Sequence, residues 1–568
     1  MVAEGASLVF SGVAEIREHI ARWRRFFTDR DGEISMTYRA TLFSFSVALL
    51  ATSALAAPAM AGPCEKMWDT KIANTDINAA QTIPPGMFRA ADGTVVNDMP
   101  EFCRIAVNAH PSTDSDVEYE VWMPTQGWNG KFVGLGNGGF SGSIRFSQIA
   151  DKVRQGYAAA STNTGHWSSD GTFAYRHPEK IIDFGYRAIH LMTQQAQGLV
   201  KDFYSKPVTY SYFSGCSQGG RQALLEAQRY PEDYNGIIVG DPAHNWTAHY
   251  IAGHLYLATV LYDKSPNSIL PDRLAPIVGK AVNEACDAAD GLKDGIISNP
   301  KGCKLNPEVL VCKPGQDSKT CLTQDQVTAV MKFYDGPGDR VPKGYYPGFD
   351  FGGEAENWPN TLSSDFPYGG EHGRQGFPFF KFFVFDDPNW DMHSWKWTKE
   401  GIASVENKVV IRGETIAQVF NAVDPNLDKF KARGGKVMHY HGFGDPDIPG
   451  QNSINYYESV VADQGKKHGA GKGAAETESF YRLFMVPSMG HCSRGPGPNT
   501  FDMFPQLDEW VEKGAAPTQV IATKYVDDKK ELGVKMTRPL CPWPRVARYK
   551  GNGDNSVAAN FACVDPTK

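Results

Sequence analysis

A serine that attacks a carbonyl must stand clear of its own backbone, and it needs a base nearby. The segment Gly215-Cys216-Ser217-Gln218-Gly219 answers the first demand. It has the form G-x-S-x-G, with a strand-like run, Val208 to Phe213, before it and a helix-like run from Gly219 through Ala227 after it. A sharp turn from strand to helix requires small residues on both sides of the serine and lifts its hydroxyl out of the sheet. The amides that open the following helix point toward the same spot, where they favour a developing negative charge. A glycine-rich turn with an ordinary serine would also match the pattern. The two flanks together favour a nucleophile for acyl transfer.

The base should follow later in the chain. His491 lies in Ser488-Met489-Gly490-His491-Cys492, just beyond the apolar run Leu483 to Val486. Asp445 lies in His441-Gly442-Phe443-Gly444-Asp445-Pro446, just beyond the strand-like Lys436 to Tyr440. The order Ser, acid, His is the one that α/β-hydrolases follow. His491 would take the proton of Ser217 and return it to the leaving alcohol; Asp445 would hold the imidazole tautomer and offset its positive charge. Asp447 is the rival acid, and Asp445 is preferred because it comes first after the strand. Two amides must receive the oxyanion. One is expected from Gln218, the residue after the nucleophile. The other is expected from Gly138 or Gly139, in the loop Gly134-Leu135-Gly136-Asn137-Gly138-Gly139 that follows the strand-like Lys131 to Val133. A nucleotide-binding loop is the competing reading, but neither G-x-G-x-x-G with a helix and acidic partner nor G-x-x-x-x-G-K-[ST] is present.

These residues need a frame. Ile237 to Val239 reads as another short buried strand, Ile454 to Val461 as a helix between the last two strands, and Phe504 to Lys513 as a further helix. Alternating strands and helices imply a mostly parallel sheet. Asp445 and His491 are 46 residues apart, room for one helix and one strand. Ser217 and Asp445 are 228 apart, far more than the roughly 30 residues of one βα unit. An insertion must lie between them. From Trp246 to Lys431 the texture is irregular, with a strongly aromatic run from Phe377 to Phe385. This stretch is expected to cover the carboxyl edge of the sheet, where such folds place their sites. The expected architecture is an α/β-hydrolase fold with a large inserted lid domain. Its parts would be a leader and signal peptide over 1–61, hydrolase segments over 62–245 and 432–568, and the lid over 246–431.

The chain has 568 residues, 41% hydrophobic and 21% charged, as expected of a globular protein with two domains or one large insertion. Its net charge is −7 and no run of Lys or Arg stands out, which argues against nucleic acid as a partner. Arg39, the apolar stretch Leu42 to Ala57 and Ala59-Met60-Ala61 form a secretory signal pattern, so cleavage is expected after Ala61, with Met36 expected as the initiator. The run is short and closes with small residues, unlike a membrane anchor. All ten cysteines follow it, so five disulfides in a secreted protein are expected. Proximity favours Cys286 with Cys303, Cys312 with Cys321, and Cys541 with Cys563. Cys216 precedes the nucleophile and Cys492 follows the base, so a bond between them becomes possible if Ser217 and His491 meet. In the loop Cys286-Asp287-Ala288-Ala289-Asp290-Gly291-Leu292-Lys293-Asp294-Gly295-Ile296, three aspartates among glycine turns could hold Ca²⁺ or form a solvated acidic turn.

Together these motifs resemble the tannase and feruloyl esterase family, which also includes an enzyme hydrolysing mono(2-hydroxyethyl) terephthalate. The carriers are Gly215 to Arg221, Asp241-Pro242-Ala243, Phe383 to Asp391, His441 to Pro446 and Gly490-His491-Cys492, and the likeness runs from Cys64 to Cys563. The resemblance implies a triad of Ser217, Asp445 and His491, and disulfides Cys216–Cys492 and Cys64–Cys103. It implies a structural calcium on the side chains of Asp287, Asp290 and Asp294 and the carbonyls of Leu292 and Ile296. It makes the insertion a lid that supplies much of an aromatic-acid pocket, with a small aromatic ester (hydroxycinnamate or gallate) as substrate. The terephthalate half-ester is the alternative substrate. A non-catalytic binding protein on the same scaffold is the alternative of another class, and the intact Ser, Asp and His set speaks against it.

Overall fold

The computed structural model describes residues 63–365, 368 and 370–566. The expected leader and signal peptide lie outside the described residues. Nine strands form the main sheet: β1 (Thr75–Ile83), β2 (Phe102–Ala109), β3 (Val117–Pro124), β4 (Lys131–Leu135), β5 (Ala158–Thr162), β6 (Tyr210–Cys216), β7 (Gly236–Gly240), β8 (Lys436–Gly442) and β9 (Tyr481–Val486). Their order is β1-β2-β3-β5-β4-β6-β7-β8-β9. Pairing is antiparallel from β1 to β5 and parallel from β5 onward to β9. The parallel half carries every loop that holds a candidate catalytic residue.

Side chains alternate across a strand, so a sheet covered on both faces needs two apolar sets. That alternation is visible here. Phe132, Phe213, Ile237, Val239, Val437 and Leu483 face one core, shared with helices α2 (Ala188–Tyr204), α3 (Gln218–Arg229) and α4 (Gly450–His468). Val133, Tyr212, Ile238, Met438 and Phe484 face the opposite core, shared with α1 (Phe146–Arg154) and α5 (Phe504–Lys513). The result is a three-layer α/β/α sandwich.

Between β7 and β8 the chain adds no strand to this sheet. It builds a third core of its own, joined by Phe140 and by Phe173 to Phe184. Sequence texture suggested irregular structure here, but the segment is largely helical, with Tyr256–Tyr262, Ala275–Cys286 and Gln324–Asp335 among its helices. From Tyr250 to Leu261 most positions are buried whatever their side of the helix, so the segment has no amphipathic period to read. Within the aromatic run, Phe379, Phe380 and Phe383 are core residues, packed on Tyr250, Trp390 and Phe140 respectively. Five disulfides close the fold: Cys64–Cys103, Cys216–Cys492, Cys286–Cys303, Cys312–Cys321 and Cys541–Cys563.

Candidate active site

Strand β6 ends at Cys216, and helix α3 begins at Gln218. Ser217 joins them with φ 64° and ψ −123°, a backbone conformation that a serine adopts only when its surroundings enforce it. The enforcement is explicit. The Ser217 N–H donates to the Gly240 carbonyl at 3.0 Å, and the Ser217 carbonyl accepts from the Ala243 and Arg221 amides. Neighbouring glycines are needed for space. A Cβ on Gly215 would come within 2.5 Å of the Gly219 carbonyl group, and one on Gly219 within 2.8 Å of the Asn137 oxygen. The second contact shows how closely the loop after β4 lies against the turn.

That loop is held from α3. The Asn137 N–H donates to Gln222 Oε1 at 3.0 Å, and Gln222 Nε2 donates to Asn137 Oδ1. Asn137 Nδ2 in turn donates to the Ser143 and Thr162 carbonyls. Gly138 and Gly139 follow, lining the same cavity as Ser217. The first amides of α3, Gln218 among them, have no intrahelical carbonyl to bond. Gly138 and Gly139 thus reach the cavity of Ser217, and the Gln222–Asn137 clamp that fixes their loop had no signal in the sequence.

The acid and base come from the ends of β8 and β9. His491 Nδ1–H donates to Asp445 Oδ2 at 2.7 Å. The other oxygen of Asp445 accepts from the Asp447 and Ile448 amides at 2.8 and 3.0 Å. Asp445 is buried, while the His491 side chain keeps 25% of its surface exposed. Burial opposes charge on both groups, yet their mutual attraction overrides it: His491 is pushed up and Asp445 is held well below the usual carboxylate range. With Nδ1 engaged, Nε2 is the free basic atom. Asp447 stands on the Nε2 side, with Oδ2 at 4.0 Å, and makes no bond to Nδ1. The structure thus gives the orienting place to Asp445.

Two further buried groups flank the acid. His441 Nε2–H donates to the Ile448 carbonyl at 2.9 Å and lies 3.4 Å from Asp445 Oδ2. Asp241 accepts from the Gly442 amide at 2.8 Å and lies 3.7 Å from His441. Burial raises the Asp241 carboxyl to about 6 despite His441. Both residues stood in sequence motifs, but nothing in their spacing announced that they would meet.

Ser217 and His491 line one cavity of about 900 Å³ at the carboxyl ends of the parallel strands. The disulfide beside them puts the Cα atoms of Cys216 and Cys492 6.0 Å apart. The insertion contributes Glu356, Asn357, Pro359, Thr361 and Gln375, and the sandwich contributes Tyr440, Phe501 and Phe504. The insertion is anchored on the loops of Asp445 and His491: Asn357 Nδ2 donates to the Gly444 carbonyl, and the Ile297 amide donates to Ser488 Oγ.

In the acidic loop, Asp287 accepts from the Asp294 and Gly295 amides, Asp290 from Leu292, and Asp294 from Ile296 and from Arg538. Burial raises the Asp294 carboxyl; Arg538 opposes this, and Asp290 and Asp287 add to it, so the three acids share one field. Their hard oxygens suit a Ca²⁺ ion in kind. Among the described residues, the tight three-residue clusters of possible metal ligands lie elsewhere.

A strand-to-helix serine turn, an Asp–His pair at the ends of two later parallel strands and a sheet with helices on both faces define an α/β-hydrolase. A family model described as tannase and feruloyl esterase matches residues 103–564. An uncharacterized esterase of Xanthomonas campestris is 35% identical, over 92% of this chain and 94% of its own length. A probable feruloyl esterase B-2 of Neosartorya fischeri is 31% identical, over 87% and 94%. The crystal structure of feruloyl esterase B from Aspergillus oryzae superposes with a TM-score of 0.78 at 28% identity, covering 88% of this chain and 99% of that one. The chain belongs to the tannase and feruloyl esterase family and is a carboxylic ester hydrolase.

Proposed function

We propose that this protein hydrolyses esters of aromatic carboxylic acids, hydroxycinnamoyl or galloyl, through an acyl-enzyme on Ser217. The observation that carries the reading is the Asp445–His491 hydrogen bond, which leaves Nε2 of His491 free in the cavity that Ser217 lines. Ser217 Oγ attacks the ester carbonyl as His491 Nε2 takes its proton. The amides of Gln218 and of Gly138 or Gly139 receive the oxyanion. His491 then protonates the departing alcohol oxygen. Water attacks the acyl-enzyme with His491 again as base, and the acid leaves as Ser217 recovers its proton. An aromatic acyl group is supported by Tyr440, Phe501 and Phe504 in the cavity lining and by the names of the relatives. The test is a kinetic panel of methyl ferulate and methyl gallate on the wild type and Ser217→Ala. The variant should keep its melting temperature and lose on the order of 10⁴-fold or more in kcat; substantial remaining turnover refutes the role of Ser217.

Two subsidiary readings accompany it. Ca²⁺ would sit on Asp287, Asp290 and Asp294 with the carbonyls of Leu292 and Ile296, bracing the Cys286–Cys303 loop of the insertion. Secretion is supported by five disulfides, and no helix among the described residues is long and apolar enough to cross a membrane.

A further inference from the structure

Arg145 stands immediately before α1, at the rim of the loop that carries Gly138. Its backbone is fixed: its N–H donates to Ser161 Oγ at 3.1 Å, and its carbonyl accepts from the Ile149 amide at 2.9 Å. Its guanidinium reaches into the cavity of Ser217 and His491. Nη2 lies 2.7 Å from the point where a Cβ on residue 138 would stand. Glycine at 138 thus makes room for the guanidinium as well as presenting an amide.

Among the described residues, nothing balances Arg145. Its Nε is buried and has no hydrogen-bond partner, and no carboxylate among the described residues forms an ion pair with it. Nearby charges are engaged elsewhere. Asp151 pairs with Arg154 at 2.6 Å, while Lys152 donates to Gln155 and lies over the ring of Phe504. Burial depresses the Arg145 guanidinium, and no neighbouring acid offsets that effect. Other inward-turned arginines are satisfied. Arg104 pairs with Glu120, Arg187 with Glu179 and Asp183, and Arg538 with Asp294; Arg221 donates to Gln218 and to three backbone carbonyls. A half-buried cation with an idle donor faces the cavity, and the described residues supply it no anionic partner.

We propose that Arg145 forms an anion-recognising subsite beside the oxyanion loop, selecting esters that carry a second, ionised carboxylate. The planar guanidinium fork matches a carboxylate and gains most where water is scarce. The subsite rests on the reading of the Ser217 cavity as the ester site, and refines it: the aromatic ester bears a carboxylate on its acid or its alcohol portion, and that group meets Arg145 while the scissile carbonyl meets Ser217.

The test compares matched esters with and without the charge. Chlorogenate against methyl caffeate places the carboxylate on the alcohol side; monomethyl against dimethyl terephthalate places it on the acyl side. In Arg145→Gln, the charged-to-neutral ratio of kcat/KM should fall about tenfold or more in at least one pair, chiefly through KM, and Arg145→Lys should recover part of it. Ratios within about twofold of wild type in both pairs overturn the proposal. A second measurement needs no variant. Free terephthalate should inhibit the wild type at least about tenfold more tightly than terephthalamide, and equal inhibition constants contradict the subsite. Wild-type protein that cleaves none of the four esters refutes the esterase reading itself, and this inference with it.

Discussion

Asp445 makes contacts that leave it one orientation. Two backbone amides hold one oxygen, and His491 takes the other. Asp445→Asn should therefore lower kcat by about 10³–10⁴-fold, because an amide can present its N–H to Nδ1 and enforce the wrong tautomer. Asp447→Asn should cost far less, since Asp447 does not bond Nδ1; the reverse ranking would transfer the orienting role. The same pair sets the pH dependence. Catalysis needs His491 neutral, and Asp445 raises the pH at which the imidazolium loses its proton. The acid limb of kcat/KM should then lie above the ordinary histidine value of about 6.5, with activity falling as pH drops through it. A limb below 6 in a pH–rate profile contradicts the pairing. That Asp445 would meet His491, beside the cavity that Ser217 lines, was readable in sequence because each of the three follows an apolar strand. Arg145 was not, because a single arginine carries no signal until its lack of a partner can be seen.

At the scale of elements, α3 does more than follow the nucleophile. It carries Gln222, which grips Asn137, and Arg221, which is fully buried and donates to the Phe184, Gly185 and Phe420 carbonyls. One helix thereby sets the Gly138–Gly139 loop on one side and the floor of the insertion on the other. Gln222→Ala should reduce kcat about tenfold to a hundredfold, by loosening the Gly138–Gly139 amides, and cost about 1–3 kcal/mol of stability as the buried Asn137 N–H loses its acceptor. A variant with wild-type kcat would remove the clamp from the account. Arg221→Lys should act on stability, because lysine cannot serve Gln218 and three carbonyls at once; a loss of about 2–4 kcal/mol in denaturant unfolding is expected. Strands β6 to β9 were legible as short apolar runs, with ends within three residues of those observed. The aromatic run from Phe377 to Phe385 was legible only as apolar, since composition shows that a segment is buried without saying against what. It packs into the core of the insertion, and the cavity wall draws its rings from Tyr440, Phe501 and Phe504.

At the scale of the molecule, the chain is an α/β sandwich whose insertion builds its own core and is anchored on the loops after β8 and β9. The Cys216–Cys492 bond closes a span of 276 residues that contains the whole insertion. Chain-entropy arithmetic for such a loop gives up to about 5–6 kcal/mol. The double variant Cys216→Ser, Cys492→Ser should melt well below the wild type, and it should lose activity below its own melting temperature as the Ser217 and His491 loops separate. Activity that tracks the folded fraction alone would reduce the bond to a stabiliser. The proposed Ca²⁺ site predicts that chelator treatment lowers the melting temperature, and an unchanged value in metal-free protein excludes a stabilising ion on the Asp287 loop.

The most direct measurement of the central claim is the site of covalent capture. A chromogenic aryl phosphonate, which mimics the tetrahedral intermediate, should label the folded protein once, on the peptide containing Ser217, as read by mass spectrometry of a digest. Methyl ferulate should slow the labelling, and Ser217→Ala should abolish it together with ester hydrolysis. Labelling of another residue that tracks the loss of activity, or undiminished hydrolysis by Ser217→Ala, would contradict the account.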